Sequence, residues 1–384
     1  MLKNDEIQKA SGVDRNISWW RSISVNLILL LLVIGLLILS LFLGRYYTSP
    51  YTVVLILISG ISEGIGELLQ PIASHFGISL SFFWFIHQNW DPTMTPIVWD
   101  IRLPEALGAI LVGSGLAVSG ASYQAVFRNP LVSPDILGIS TGAALGAAIA
   151  ILFSADYSYW VPISAFIFSI STVSATFFIS KILKKGNATL MLILSGIVVA
   201  SMLSAVLSIF ISIVAEMTAG DPTKTKLQDI IFWLMGSFQG ITYNALLYLA
   251  PIILGGMFVL MLLRWRLNVL SMGDEEARAL GIDVAKLRGI IILCSTLITA
   301  ACICISGTIG WVGLVIPHFA RMIVGPNHKV VIPTSILLGA AFMLIVDAIC
   351  RDLFSVLIPV SIVTSLVGVP VFLYLLKISK RSWS

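Results

Sequence analysis

Nine uncharged runs dominate the sequence: 22–44, 106–127, 136–155, 157–180, 186–215, 230–263, 289–317, 330–346 and 353–376. A helix that crosses a bilayer needs about 20 consecutive apolar residues. Runs of this length and number exclude a soluble fold. Only 11% of the 384 residues are charged and the mean hydropathy is +1.00. A water-facing surface would need about 25% charged residues. The expected class is therefore all-α and polytopic. A soluble enzyme, a nucleic-acid-binding domain and a disordered chain are set aside.

Two runs are too long for one helix each. In 230–263, Gly236, Ser237 and Gly240 predict a short outer helix near 225–236 and a span at 240–263. In 289–325, Ser306-Gly307-Thr308, followed by Gly310 and Gly313, predicts two spans, 289–306 and 309–325. The total is ten. With the N-terminus inside, eighteen of the 23 Lys and Arg residues fall on inner segments and five on outer ones. Treating 289–317 as one helix gives nine spans and a weaker split, fourteen to nine. Positive charge collects on the cytoplasmic side, so ten spans with both termini cytoplasmic is the expectation. The cell membrane itself is then the first partner.

The division that follows is a cytoplasmic tail (1–21), a first span (22–45), an extracytoplasmic segment (46–97), a membrane core (98–378) and a short cytoplasmic tail (379–384). The first apolar run is longer than a signal-peptide core and ends in Leu43-Gly44-Arg45-Tyr46, which predicts an uncleaved span. Residues 46–98 mix apolar stretches with Glu63, Glu67, His75, His87 and Asp91. Two amphipathic helices at the outer surface are expected there, with an extra hairpin as the alternative. His75 and His87 could contact a haem or metal chelate, but two histidines of unknown relation are weak evidence. Cys294, Cys302, Cys304 and Cys350 lie in apolar runs without ligand spacing, and are read as plain buried thiols. No metal site is expected.

Three segments carry more than hydropathy. The first is Ile101-Arg102-Leu103-Pro104-Glu105, continuing through Gly113-Ser114-Gly115, Gly120 and Gln124 to Arg128-Asn129-Pro130 and Ser133-Pro134-Asp135-Ile136-Leu137-Gly138. The second is Gly273-Asp274-Glu275-Glu276-Ala277-Arg278-Ala279-Leu280-Gly281. The third runs from Ser306-Gly307-Thr308-Ile309-Gly310-Trp311 through Pro317-His318 and Arg321 to Gly325-Pro326-Asn327. In this order and spacing, over about 98–378, the chain resembles the FecCD-type permeases of bacterial and archaeal ABC importers. That family carries iron-siderophores, haem, cobalamin and related metal chelates.

The resemblance implies a ten-helix permease subunit in a bacterial or archaeal cytoplasmic membrane. It implies a second permease subunit, identical or paralogous, two ABC ATPase subunits and an extracytoplasmic substrate-binding protein. The chain carries no GxxxxGK[ST] loop. ATP and Mg would be held by the ATPase, with no cofactor in this chain, which is then not itself an enzyme.

Residues 273–281 read physically as a short helix. Asp274 can cap it, Glu275 and Glu276 sit at its positive end, Arg278 lies further along, and Gly281 can end it in a left-handed conformation. Ala277 and Leu280 are expected to share an apolar face. The resemblance makes this the coupling helix that docks on the ATPase. It also makes Arg102 and Arg351 receivers of acidic groups on the binding protein, beside the simpler reading of interfacial anchoring. Glu105 departs from the family, which commonly has arginine there. Asp347 is expected to pair with Arg351 four residues on. Family architecture and side-chain polarity together point to a pathway along spans five and ten, at Ser195, Ser201, Ser204, Ser208, Ser361, Thr364 and Ser365. The competing reading is serines bonded to their own helix backbone.

Two other function classes fit the sequence less well. An ion-coupled secondary transporter would carry intramembrane carboxylates, and Asp347 stands nearly alone. A membrane enzyme would need converging ionisable groups, and no span offers HExxH or paired carboxylates at helical spacing.

Overall fold

The computed structural model describes residues 23–44, 46, 48–75, 90–154, 157–183, 188–218, 226–352 and 358–379. The expectations placed on the two terminal tails, on His87, Lys185 and Lys224, and on a second outer helix near 79–86 lie outside the described residues. Thirteen helices are described: α1 (Ile23–Phe42), α2 (Pro50–His75), α3 (Met94–Phe127), α4 (Ile139–Phe153), α5 (Tyr157–Ile182), α6 (Ala188–Thr218), α7 (Lys226–Met235), α8 (Tyr243–Met272), α9 (Asp274–Ala279), α10 (Val284–Ser306), α11 (Val312–Val324), α12 (His328–Asp352) and α13 (Val360–Ser379). No strand occurs among the described residues.

All ten expected spans have a helix. Seven helices are long and apolar enough to cross a membrane: α1, α3, α5, α6, α8, α10 and α12. The other three, α4, α11 and α13, are shorter in apolar length. A 13-residue helix such as α11 reaches only about 20 Å. The remainder of that span is the non-helical segment 307–311, folded against other protein. It is tied to other protein at its start: the Ser306 carbonyl accepts from Ser237 N–H at 2.8 Å, and the Thr308 hydroxyl bonds the Leu234 carbonyl. Irregular backbone at membrane depth is tolerated only with such shelter.

Helix α3 lies at the centre, packed on α12, α10, α8 and α11; α4, α5 and α6 form a second group joined to it through α10. Small residues permit the contact. A Cβ on Gly113 would overlap the Gly339 carbonyl of α12, and one on Gly120 would overlap the Gly313 carbonyl of α11. In lipid, helices associate by such close approach.

The first turns of α3 are widened into a π-helix, Ile97–Arg102. Pro104 explains it. A proline has no N–H and its ring clashes with the carbonyl four residues back. The ladder there shifts by one residue, with Leu103 N–H bonded to the Val98 carbonyl.

Helix α2 is a single 26-residue helix. Its first half packs on α1 and α3, with Val53, Ile56, Leu41 and Val98 buried together. Trp99 lies over Gly60 and donates to the Ile56 carbonyl at 3.2 Å. Tyr51, Val54, Ile58 and Ile61 are nevertheless exposed. Over 51–61 the helix is thus apolar both toward the bundle and away from it.

Candidate functional site

The loop between α8 and α10 holds α9. Gly273 stands at its N-cap with φ 153° and makes no side-chain cap. The expected capping by Asp274 does not occur. Its carboxylate instead receives Arg128 Nη2 at 3.1 Å and Arg288 Nη2 at 2.9 Å. The helix is therefore clamped to the end of α3 and the start of α10. Glu275, Glu276 and Arg278 are exposed. At the other end Gly281 has φ 77°, its N–H bonded to the Arg278 carbonyl and that of Ile282 to the Ala277 carbonyl. This is the left-handed stop that the glycine predicts.

The shared apolar face of Ala277 and Leu280 is also corrected. Ala277 is fully buried against the bundle, whereas Leu280 is 60% exposed. Leu280 lies at the C-cap with φ −86° and ψ 11°, off the helical path, so it leaves the stripe that Ala277 occupies. One side of α9 is seated on the core, and Leu280 is its free apolar side chain.

Arg128 is the left-handed C-cap of α3, with φ 50°. Asn129 N–H returns to the Gln124 carbonyl at 3.2 Å, and the Asn129 side chain accepts from Leu131 N–H at 2.9 Å. The Arg-Asn-Pro turn is rigid for these reasons, and it aims Arg128 at Asp274. Nearby, Gln124 donates to the Gly313 and Leu314 carbonyls and accepts from Arg321 Nη2 at 2.6 Å. Arg321 thus ties α11 to α3.

Arg102 and Arg351, expected as exposed charges at the outer surface, are buried. Arg102 is 3% exposed and Arg351 is 8% exposed. Arg102 donates to the Leu41 and Tyr46 carbonyls and to the Thr48 hydroxyl at 2.6–2.9 Å. Arg351 pairs with Asp347 at 2.6 Å, as the spacing predicts, and also with Glu105 at 3.5 Å and Ser40 at 2.5 Å. A buried guanidinium must find acceptors, and the α1–α2 link supplies them to Arg102. In this conformation both are internal braces, neither free docking charges nor snorkelling anchors.

The pathway residues divide. Ser201, Ser204 and Ser208 are exposed on one stripe of α6; the hydroxyls of Ser201 and Ser208 bond the carbonyls four residues back. Ser195 and Thr364 point inward and are buried. Thr364 donates to the Ser361 carbonyl, while Ser361 and Ser365 are half-buried. Trp311, with φ 70°, lies between the broken segment and α13, its side chain against Gly368 and its ring 6.0 Å from that of Phe372. Sequence reasoning did not select Trp311; its place after Gly310 in a helix break was the available signal.

The four cysteines are free thiols. No cluster of three or more His, Cys, Asp or Glu able to hold a metal occurs among the described residues.

The model of the FecCD transport family matches residues 28–377. The chain belongs to this family. It is 41% identical over 282 residues to the molybdate import system permease protein MolB of Haemophilus influenzae, covering 73% of this chain and 81% of the relative. The cobalamin import system permease protein BtuC of Halobacterium salinarum is 36% identical over 286 residues, 74% of each chain. The hemin transport system permease protein HmuU of Yersinia pestis is 36% identical over 308 residues, 78% of this chain and 88% of that one. Among solved structures, an inward-facing conformation of a metal-chelate type ABC transporter matches with TM-score 0.74 and 36% identity, covering 92% of this chain and 99% of the other. The FecCD chain described here is accordingly a multi-pass permease subunit of an ABC importer, and ATP hydrolysis belongs to a separate subunit.

Proposed function

We propose that this permease pairs with a second permease subunit, two ABC ATPases and an outer binding protein to import a metal chelate of the iron-siderophore, haem or cobalamin class. The clamped helix α9 carries this reading. It is held at Asp274 by two other helices and offers Leu280 outward, so a push on Leu280 is delivered to α3, α8 and α10 together. The exposed serines of α6, with Ser361 and Ser365 of α13, face the second subunit and form the weakly polar wall of the path. Trp311 closes it in this conformation. The binding protein settles on the outer rim that the Arg102 and Arg351 braces shape.

A second cargo reading is an oxyanion, favoured by the 41% identity to a molybdate permease. Proteoliposomes holding the permease with its cognate ATPase and binding protein separate the two. ATP-dependent uptake of a labelled iron chelate, haem or cobalamin with no uptake of molybdate is expected; the reverse selects the oxyanion. The variant Leu280→Asp places a charge in a desolvated contact, at ~3–5 kcal/mol. It should abolish co-purification of the ATPase while the permease remains folded. Normal assembly and uptake by that variant would refute coupling through α9.

A further inference from the structure

A groove of about 580 Å³ opens between α5, α6 and α10, at the end of the bundle where α9 lies. Its walls are of two kinds. Phe177, Phe178 and Gly289 give an apolar slot, and Phe178 is 67% exposed. Lys181, Thr189 and Arg288 give a polar end with two positive charges. Arg288 commits Nη2 to Asp274, and its Nε is buried with no hydrogen-bond partner among the described residues. The surroundings add to the asymmetry. Ile182, Leu190 and Leu293 are exposed apolar side chains beside it. The sequence has no Asp or Glu between Asp156 and Glu216, whereas Lys184 and Lys185 follow Lys181. Such a place suits neither water nor plain hydrocarbon. It suits a molecule with an anionic head and an apolar tail.

We propose that this groove binds one anionic phospholipid of the inner leaflet. Its phosphate is held by Lys181 and Arg288 and by the Thr189 hydroxyl, and its acyl chains lie over Phe177 and Phe178. Basic pockets between helices on the cytoplasmic side are suited to such headgroups. Arg288 also holds Asp274, so the lipid touches the clamp of α9, and occupancy bears on how firmly that helix is seated. The leaflet follows from the orientation proposed for the chain; the binding chemistry does not depend on it.

The test is native mass spectrometry of the purified full-length chain in detergent, titrated with phosphatidylglycerol or with phosphatidylcholine of the same acyl chains. One phosphatidylglycerol should be retained at concentrations where phosphatidylcholine is lost. Lys181→Gln leaves the Asp274 pair intact and should weaken retention about five-fold. Arg288→Gln should weaken it too, and Lys181→Arg should restore it. Lys329→Gln, far from the groove, should change nothing. Equal retention of the two lipids, or wild-type retention by Lys181→Gln, would overturn the proposal, as would full displacement by glycerol phosphate, which would assign the site to a free phosphate. Impermeant labelling of a cysteine at 181 is read separately. Reaction from outside would overturn the orientation and leave the lipid chemistry standing.

Discussion

At the scale of single residues, the buried charges decide most. Arg351, Asp347 and Glu105 form one ionic group near the C-terminal end of α12, and Arg102 lies beside it. Removing one member of a buried pair leaves an uncompensated charge, at ~3–5 kcal/mol, whereas replacing both members by apolar side chains is often neutral. Arg351→Met should therefore lower the unfolding midpoint in detergent strongly. Arg351→Met combined with Asp347→Leu and Glu105→Gln should recover most of the loss. An equally unstable triple variant would mean that Arg351 acts through packing alone. Asp274 is different, because it is partly exposed and shared between a half-exposed Arg128 and a more buried Arg288. Exposed pairs contribute ~0–1 kcal/mol, and Asn keeps an acceptor for Arg288, so Asp274→Asn should lower stability only modestly. It should uncouple ATP hydrolysis from transport, read as ATPase activity retained without uptake. The pairing of Asp347 with Arg351 was legible because it is local. The capture of Arg102 by residues 41–48, and of Asp274 by Arg128 and Arg288, was not. Those partners lie far apart in sequence, and a lone sequence holds no record of which distant charges meet.

At the scale of elements, charge-free runs located every span. The reason is physical: an unpaired charge in hydrocarbon is so costly that its absence marks the helix. The break after Ser306 and the short helix near 225–236 were legible from glycine placement, and α7 occupies Lys226–Met235. Three things were not. The π-turn at Ile97–Arg102 follows from Pro104 only once the chain is known to be helical on both sides of it. The separation of Ala277 from Leu280 depends on where a six-residue helix stops, the least certain feature of any helix read from sequence. The packing of the first half of α2 on α1 and α3 cannot be seen in a one-dimensional pattern. Close packing makes its own prediction. Gly120→Val would drive a side chain into the Gly313 backbone, so α3 and α11 would have to separate. The variant should be recovered in low yield and should unfold well below wild type. Gly255→Ala meets open space on α8 and should behave as wild type. Equal behaviour of the two would show that the α3–α11 contact is looser than the packing described.

For the whole molecule, the orientation we propose rests on the distribution of charge. The ten-span reading puts eighteen basic residues on one side against five on the other, the kind of asymmetry that orients a polytopic chain. The coupling proposed for α9 would place that helix on the same side, where its own Arg278 is one of the eighteen. Single cysteines at positions 75, 185, 224 and 273 test the orientation, in a background with the four native cysteines replaced by serine or alanine. Three of those thiols are buried, so their replacement must be shown to leave the protein folded. An impermeant maleimide applied to intact cells should label 75 and 224 at once. Positions 185 and 273 should react only after the membrane is opened. Labelling of 273 from outside would invert the chain and remove α9 from any ATPase. Labelling of 185 alone from outside would displace only the α5–α6 hairpin, and with it the leaflet assigned to the lipid groove.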